Sequence, residues 1–321
     1  MHGSALNNSS LPDRVSRPVL VLIGPTAIGK TELSLKLSEA FNCEIISVDS
    51  MQVYRYMDIG TAKIPPGERR FIPHHLIDII NPDENYDAVR FADDCLKAIK
   101  NIHQRSSIPL LTGGTGLYLH ALKYGFFDSP PINPDVRSGL RARLNHEGVN
   151  KLHEELSLHD RISADKIHKN DTYRIVRALE VFYSSGVPLS AHQLKTTAPA
   201  ACFSRMLTIG LTSERPALYR RINTRTQAMI EGGFEEEVRS LLQRGYSAEL
   251  KSMQSIGYRH MHNYIAGLWS MDQMIAELSR DTRRYAKRQY TWFNKDESIT
   301  WFNRNDKNLV LPFVDNWLLK Q

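Results

Sequence analysis

The sequence predicts an α/β fold in which a parallel sheet is flanked by helices and interrupted by an inserted all-helical domain. The clearest observation is the segment 24–31, Gly-Pro-Thr-Ala-Ile-Gly-Lys-Thr, which has P-loop spacing and lies between an apolar β-branched run and a helical pattern. Short apolar runs at 43–48, 109–111 and 206–211 have the length of buried strands. Residues 135–195, by contrast, show only helical patterns. We therefore expect a P-loop NTPase-like parallel sheet that carries the insertion.

Composition limits the class of protein. The chain has 321 residues, enough for one or two domains with a full core. Its net charge of +6 permits a nucleic-acid partner without requiring one, and its three scattered cysteines argue against a disulfide framework. Residues 1–17 are expected to be a disordered tail, and no apolar run approaches the ~20 residues that span a bilayer. We therefore expect a cytoplasmic monomer with no membrane association.

The P-loop predicts a pocket for a phosphate or a diphosphate. Gly24 and Gly29 let the backbone curl without a Cβ clash, so its N–H groups point inward at the positive end of a helix dipole. Lys30 adds a positive charge, and the Thr31 hydroxyl can ligand a magnesium ion. The eight residues of this cradle are Gly24, Pro25, Thr26, Ala27, Ile28, Gly29, Lys30 and Thr31.

Two more strand ends are expected beside the P-loop. Asp49 follows the strand at 43–48, and a second glycine loop at 112–116, Thr-Gly-Gly-Thr-Gly, follows the strand at 109–111. Because ligands bind at the carboxyl ends of parallel strands, both should lie at the edge of the sheet that holds the P-loop. Asp49 could cap a helix or form a turn. Its functional alternatives are a carboxylate that holds magnesium through water and a general base.

The insertion is expected at residues 128–204, between core segments 18–127 and 205–321. A linker rich in proline opens it at 129–134. Its predicted helices begin at Asp135-Val136-Arg137, run over 150–158, and run over 173–183 between a cap at Asn170-Asp171 and a stop at Gly186. The last helix carries an apolar stripe of Ile175, Val176, Leu179 and Phe182.

The last third of the chain is basic and mostly helical. Helices of the core are predicted at 86–102, 117–122, 215–225, 234–242 and 279–289. Arg221 and Arg225 lie four residues apart and therefore share one helix face. A second basic face, interleaved with aromatic residues, is typical of a surface for a polyanion, although it is also typical of a solvated helix. It consists of Arg280, Arg284, Lys287 and Arg288.

Together these motifs resemble one family, the tRNA dimethylallyltransferases, which isopentenylate the adenosine 3′-adjacent to the anticodon. The resemblance covers about residues 18–295 in the family's order. One small departure is Ile28, where the family usually has Ser. That side chain is not one on which the phosphate cradle depends. The matching segments are the P-loop, Ile-Ile-Ser-Val-Asp-Ser at 45–50, Asp-Ile-Gly-Thr-Ala-Lys at 58–63, Pro-Leu-Leu-Thr-Gly-Gly-Thr at 109–115, Gly-Tyr-Arg at 257–259 and Ala-Lys-Arg-Gln at 286–289.

The resemblance implies a reaction and its participants. A dimethylallyl group would move from dimethylallyl diphosphate to the exocyclic amine of an adenosine in the tRNA anticodon stem-loop, with release of diphosphate. Thr26, Lys30, Arg225 and a Mg²⁺ ion held through Thr31 would stabilise the leaving group. Asp49 would accept a hydrogen bond or a proton from the amine. The base would leave its stack and enter a channel through the protein.

The resemblance also implies which residues contact the tRNA. They fall at the two strand ends, in the insertion, and in a turn before the last basic helix. These residues are Asp49, Ser50, Met51, Gln52, Thr115, Arg137, Tyr173, Arg174, Ile175, Val176, Arg177, Gln254, Ser255, Ile256, Gly257, Tyr258 and Arg259.

Three other functions fit parts of the sequence. A small-molecule P-loop kinase would share Lys30, Thr31 and Asp49. It should also show an arginine-bearing lid that closes on ATP, and the insertion could be mistaken for one. An isopentenyltransferase of free adenine nucleotides would share the chemistry but would need neither the insertion nor the basic last third. An RNA-binding protein whose P-loop only switches its conformation would keep its activity after Asp49→Ala.

Overall fold

A computed structural model describes residues 13–125, 130, 132–194 and 201–320. The chain divides into two compact units: a core unit, Met1–Lys123 with Ala200–Gln321, and a helical unit, Tyr124–Pro199. Part of the linker predicted at 129–134 lies outside the described residues, as do residues 1–12 of the predicted tail. None of the described helices is both long enough and apolar enough to cross a bilayer.

The described strands all belong to the core unit. They are β1 (Asp13–Val15), β2 (Val19–Ile23), β3 (Cys43–Val48), β4 (His74–His75), β5 (Ile108–Gly113), β6 (Ala201–Phe203), β7 (Met206–Thr212) and β8 (Ile299–Asn303). Six of them form one sheet in the order β4-β3-β5-β2-β7-β8, and every neighbouring pair is parallel. All residues of β2 and β3 are buried, as expected for strands covered on both faces. The predicted fold class is confirmed.

The two short strands β1 and β6 pair with each other, in parallel, outside the main sheet. The prediction of a disordered tail at 1–17 is therefore wrong for Asp13–Val15, and the prediction of an all-helical insertion at 128–204 is wrong for Ala201–Phe203. Each strand has only three residues, too few to show a periodic pattern. What orders them is the ladder between them and the burial of Val15.

The helices surround the sheet in the core unit and build the helical unit. In chain order they are α1 (Lys30–Phe41), α2 (Pro66–Arg69), α3 (Ala88–Gln104), α4 (Gly116–Tyr124), α5 (Pro134–Glu147), α6 (Val149–His159), α7 (Arg161–Lys166), α8 (Thr172–Ser185), α9 (Leu189–Leu194), α10 (Arg215–Glu231), α11 (Phe234–Gln243), α12 (Tyr258–Ile265), α13 (Met271–Phe293) and α14 (Val310–Leu319). A 3₁₀ segment, Arg304–Leu309, precedes α14.

Local sequence signals explain where several helices begin and end. The Asp171 side chain accepts a hydrogen bond from the Arg174 N–H and caps α8, which ends before Gly186 in a left-handed conformation with φ of 71°. Asp87 caps α3 in the same way, by accepting from the N–H groups of Val89 and Arg90. These caps depend only on residues two or three positions away.

Each unit has its own apolar core. In the core unit, Leu20 and Leu22 of β2 pack with Leu33 and Leu37 of α1, and Ile28 of the P-loop is buried in the same cluster. The cluster in the helical unit is centred on three helices and includes Leu140, Leu152, Leu156, Ile175 and Leu179. The packing of Ile28 in the cluster of the core unit thus anchors the P-loop.

Candidate active site

The P-loop connects the end of β2 to the start of α1. Gly24 has a φ of 148° and Gly29 a φ of 107°, values that other residues rarely adopt. A Cβ atom at Gly24 would also lie 2.8 Å from the carbonyl oxygen of Leu211 on β7. Ile28 is fully buried in the apolar cluster of the core unit, which explains why an apolar residue is stable there.

Lys30 is a buried cation at the bottom of the site. Its Nζ atom donates to the carbonyl oxygens of Gly24 and Pro25, at 2.9 Å each. Burial lowers the pKa of Lys30 to about 8, with the Asp49 carboxylate raising it and the Arg225 guanidinium lowering it further. An anion at this point would favour the charged form, so the ammonium is suited to binding a phosphate group.

Two arginines from α10 reach the P-loop. The Nη1 atom of Arg225 donates to Thr26 Oγ1 at 3.1 Å, and the Nε atom of Arg221 donates to the Ala27 carbonyl oxygen at 2.7 Å. Burial lowers the pKa of both guanidinium groups. The shared helix face predicted from their spacing is confirmed. Arg221 was not predicted as a site residue, although its spacing from Arg225 was the signal that could have identified it.

Asp49 lies where β3 ends. Its Oδ1 atom accepts hydrogen bonds from the N–H groups of Met51, at 2.8 Å, and Gln52, at 3.3 Å. One carboxylate oxygen of Asp49 therefore stabilises a turn, which agrees with the interpretation of Asp49 as a turn-forming residue. The same side chain lines a cavity together with Lys30 and Arg225, so the turn also aims a carboxylate at the cations.

The second glycine loop is tied to the P-loop by Gln289 on α13. Gln289 Oε1 accepts from the Thr26 N–H, and its Nε2 donates to the Gly114 carbonyl oxygen, both at 2.9 Å. A Cβ atom at Gly114 would lie 2.1 Å from that Nε2 atom, so only glycine allows this approach. Thr115 Oγ1 accepts from the Ser50 N–H at 3.2 Å, which links the loop to the turn of Asp49. The sequence matched Gln289 to a family motif without indicating this role.

These groups surround one cavity of about 560 Å³. Its wall includes groups from the P-loop, the end of β3, the loop that contains Thr61, and helices α10 and α13. The polar and charged members are Thr26, Lys30, Thr31, Glu32, Ser34, Ser47, Asp49, Gln52, Thr61, His74, Thr112, Arg221, Arg225, Tyr285 and Gln289.

Residues 254–259, which are predicted to contact tRNA, differ in their exposure to solvent. Gln254 is exposed and Arg259 is half-buried, with its Nη2 atom donating to Asp281 Oδ2 at 2.6 Å. Tyr258 is fully buried and its hydroxyl donates to Glu237 Oε1 at 2.6 Å. The Tyr258 ring is thus enclosed in the protein. For residues 254–259, tRNA contact stays a prediction.

The predicted tRNA residues of the helical unit lie on different faces of α5 and α8. Tyr173 is 80% exposed and Arg174 is exposed. Arg137 and Arg177 both donate to Glu180, at 3.0 and 3.3 Å. Ile175 is fully buried, and Val176 packs beside it at the edge of the same cluster, so tRNA contact by these two residues stays a prediction. The apolar stripe on α8 was the sequence signal for this burial.

The residues at the cavity suit a magnesium ion that uses few protein ligands. Thr31 and Asp49 contribute a hydroxyl and a carboxylate to the cavity wall. Among the described residues, no group of three or more His, Cys, Asp or Glu side chains could hold a metal. Mg²⁺ fits such a site because it commonly binds one or two protein oxygens and fills its shell with phosphate oxygens and water.

Comparison with known families matches nearly the whole chain. A family model described as IPP transferase matches residues 52–296, and one described as isopentenyl transferase matches residues 17–71. The chain is 54% identical over 309 residues to a tRNA dimethylallyltransferase from Desulfotalea psychrophila, with 96% of this chain and 98% of that protein covered. It is 45% identical over 300 residues to a protein of the same name from Desulfosudis oleivorans, with 93% and 95% covered.

Solved structures agree with this relationship. The fold is similar, with a TM-score of 0.68 and 40% identity, to a full-length tRNA isopentenylpyrophosphate transferase from Bacillus halodurans, over 94% of this chain and 96% of that one. It is also similar, with a TM-score of 0.76 and 28% identity, to a eukaryotic dimethylallyltransferase acting on tRNA, over 95% of this chain and 81% of that one.

The ionisation of Lys30 predicts how the cavity responds to pH. We expect its affinity for an alkyl diphosphate to fall as pH rises through about 8, because the lysine then loses the charge that holds the anion. The dissociation constant should rise by up to ~10-fold per pH unit above that point, since one proton is linked to binding. The ligand's own last ionisation, near pKa ~6, is complete by then and does not interfere.

Calorimetric titration at several pH values measures this dependence. The matched control is Lys30→Arg, whose guanidinium stays charged, so its dissociation constant should be flat over the same range whatever its absolute value. A flat profile for the unmodified protein would contradict the assigned role of Lys30.

Proposed function

The chain belongs to the IPP transferase family and, like its relatives, transfers a prenyl group to tRNA. We propose how the cavity carries out this transfer. Dimethylallyl diphosphate binds with its diphosphate in the P-loop, and its dimethylallyl group passes to the exocyclic amine of the adenosine 3′-adjacent to the anticodon. The observation that carries the proposal is that Lys30, Arg225 and Asp49 all line one cavity.

On the diphosphate side, the cations stabilise the leaving group. As the bond between the prenyl carbon and the bridging oxygen breaks, negative charge develops on the diphosphate. Lys30 and Arg225 are buried next to it, where charges interact more strongly than in water. The hydrogen bond between Arg225 and Thr26 Oγ1 keeps the guanidinium and the loop in one arrangement. Little reorganisation is then needed during the reaction.

On the acceptor side, Asp49 orients the adenine amine. This amine is barely basic because its lone pair is delocalised into the ring, so an acceptor for its proton assists the attack on the prenyl carbon. Asp49 accepts a hydrogen bond or the proton itself, while its Oδ1 is held by two backbone N–H groups. The new C–N bond forms as the C–O bond breaks, and diphosphate leaves into the P-loop.

Magnesium completes the diphosphate side of the proposal. Thr31, at the first turn of α1, would hold Mg²⁺ together with oxygens of the bound diphosphate. When bound, the ion neutralises charge that develops on the leaving group.

The tRNA is held by exposed basic groups, and the target base leaves its stack to reach the cavity. In the core unit, Arg284, Lys287 and Arg288 are exposed on α13, the helix that also carries Gln289 into the site. Such groups contact phosphates of the anticodon stem-loop, so we expect affinity to weaken with salt. We propose that the protein acts on this RNA as a monomer.

A direct assay tests the proposed function. The protein is incubated with labelled dimethylallyl diphosphate and unmodified tRNA, and the RNA is digested to find a prenylated adenosine. Separate incubations replace tRNA by adenine nucleotides, or replace the prenyl donor by ATP, and one adds a chelator. Label in tRNA alone, lost on chelation and restored by Mg²⁺, is the expected result. Transfer to free nucleotide, or ATP consumption without prenyl transfer, would contradict the proposal.

Asp49→Ala is expected to lower prenyl transfer by at least ~100-fold while tRNA binding stays nearly intact, because general-base groups contribute on this scale. Asp49→Asn is the companion variant, since its amide oxygen can still close the turn at Met51 and Gln52 but cannot take a proton. Single-turnover rates and a filter-binding assay measure the two effects. Normal turnover in both variants would refute the role of Asp49.

Lys30→Ala and Arg225→Ala are each expected to slow transfer by at least ~100-fold, the usual scale for one group that stabilises developing charge. Arg220→Ala is the matched control, because Arg220 is exposed on the same helix as Arg225. Its rate should stay within about twofold of the unmodified protein, as expected for a surface substitution. Near-normal rates for both active-site variants would place the diphosphate elsewhere.

A further inference from the structure

We propose that Glu237 is a positioning residue for the acceptor side of the cavity. Its carboxylate holds the backbone of residues 58–60 and the hydroxyl of Tyr258 at the same time. Through that loop it sets the position of Gln52 and Asp49. This inference rests on the proposed function, because it assumes that Asp49 receives the adenine amine.

Glu237 on α11 accepts four hydrogen bonds. Its Oε2 atom accepts from the N–H groups of Asp58, at 2.8 Å, and Ile59, at 2.7 Å. Its Oε1 atom accepts from the Gly60 N–H at 3.1 Å and from the Tyr258 hydroxyl at 2.6 Å. Three consecutive backbone N–H groups form a concave site for an anion, and here a carboxylate of the same chain fills it. Hydrogen bonds to a charged acceptor are stronger than neutral ones, so this attachment is firm.

The loop held by Glu237 is closed on itself. Lys63, whose side chain is 1% exposed, donates through Nζ to Asp58 Oδ1 at 2.8 Å and to Asp78 Oδ1 at 2.6 Å. Thr61 Oγ1 donates to the Met57 carbonyl oxygen at 2.6 Å. Ala62 has a φ of 48°, a left-handed conformation that its surroundings must stabilise. Residues 57–63 therefore form one hydrogen-bonded unit, and Glu237 attaches that unit to α11.

The same loop supports the turn that carries Asp49. Gln52 Nε2 donates to the Thr61 carbonyl oxygen at 3.3 Å, and Gln52 Oε1 accepts from Ser47 Oγ at 2.9 Å. The Gln52 N–H in turn donates to Asp49 Oδ1 at 3.3 Å. Thr61, Gln52 and Asp49 all line the cavity. A displacement of the loop would therefore shift the carboxylate that faces the nucleobase.

Tyr258 connects this network to residues 254–259, which the family resemblance assigns to tRNA contact. Its ring packs edge-on against Phe234 of α11, with centroids 5.2 Å apart, and both rings press on Gly60. A Cβ atom at Gly60 would lie 2.5 Å from Phe234 and 2.6 Å from Tyr258. Burial and the adjacent Glu237 carboxylate raise the pKa of Tyr258 well above its ordinary value, so the hydroxyl stays a donor. Glu237 thus links residues 254–259, which are expected to contact RNA, to the loop at 57–63 that supports the turn of Asp49.

The P-loop side of the cavity is held by a different set of contacts, from Arg221, Arg225 and Gln289. Loss of the Glu237 carboxylate should therefore affect the two substrates unequally. We expect Glu237→Gln to lower kcat/KM for tRNA by at least ~10-fold, as for lost charge-assisted hydrogen bonds, because one amide oxygen cannot accept all four. The dissociation constant for dimethylallyl diphosphate should change by less than about twofold, within the scatter of a surface substitution.

Glu236→Gln is the matched control. Glu236 is the neighbouring residue on α11 and is exposed, so the same chemical change there should leave both constants unaltered. Tyr258→Phe is a second, milder variant that removes only the hydroxyl and keeps the buried ring. It should lower kcat/KM for tRNA by ~3-fold or more, the scale of one lost hydrogen bond, again without weakening the binding of dimethylallyl diphosphate.

The outcomes separate this inference from the proposed function. A selective loss on the tRNA side in Glu237→Gln, or in Tyr258→Phe if the first variant does not fold, supports the positioning role. Equal losses for both substrates would indicate general destabilisation and overturn it, and so would behaviour like that of Glu236→Gln. Absence of transfer by the unmodified protein would refute the proposed function, and the inference with it, whereas normal transfer with no selective loss would refute the inference alone.

Discussion

The active-site cavity depends on the register of three parallel strands. Ile23, the last residue of β2, pairs with Gly113 of β5, and Val48, the last residue of β3, pairs with the same glycine. The P-loop, the turn of Asp49 and the second glycine loop therefore start at one level of the sheet. Only glycine fits at position 113 in this register, because a Cβ atom there would lie 2.0 Å from the Val48 carbonyl oxygen. Segments far apart in the sequence meet because the strands end together.

The site also holds two positively charged side chains close together without letting them move onto the Asp49 carboxylate. Lys30 and Arg225 are both buried near Asp49, and burial lowers the pKa of each cation. Their hydrogen bonds go to the P-loop, at Gly24, Pro25 and Thr26, so the backbone holds them in place. Removing charges from water costs free energy, and that cost is offset here by fixed polar partners. Such a fixed arrangement suits a reaction in which charge appears on a leaving group.

The cavity has two sides with separate supports. Helix α10 and the buried Ile28 hold the P-loop, whereas the loop at 57–63 and Gln52 hold the turn of Asp49. Gln289 crosses between the P-loop and the second glycine loop, and it sits on the same helix as the exposed basic residues. In the proposed reaction, the prenyl donor and the nucleobase are therefore positioned by different parts of the chain, which is useful when one is a small anion and the other belongs to a large RNA.

The sequence alone determined the P-loop, the buried strands, the position of Asp49 and the caps of α8, because each depends on neighbouring residues or on a continuous apolar run. Its motifs also showed the family resemblance, and that resemblance implied the reaction. The tertiary structure decided the pairing of β1 with β6, the burial of Tyr258, and the contacts that Gln289, Arg221 and Glu237 make. Thr26 and Gln289 are 263 residues apart, and Asp58 and Glu237 are 179 apart. No local pattern encodes such a contact, since it exists only after the sheet and its helices have packed.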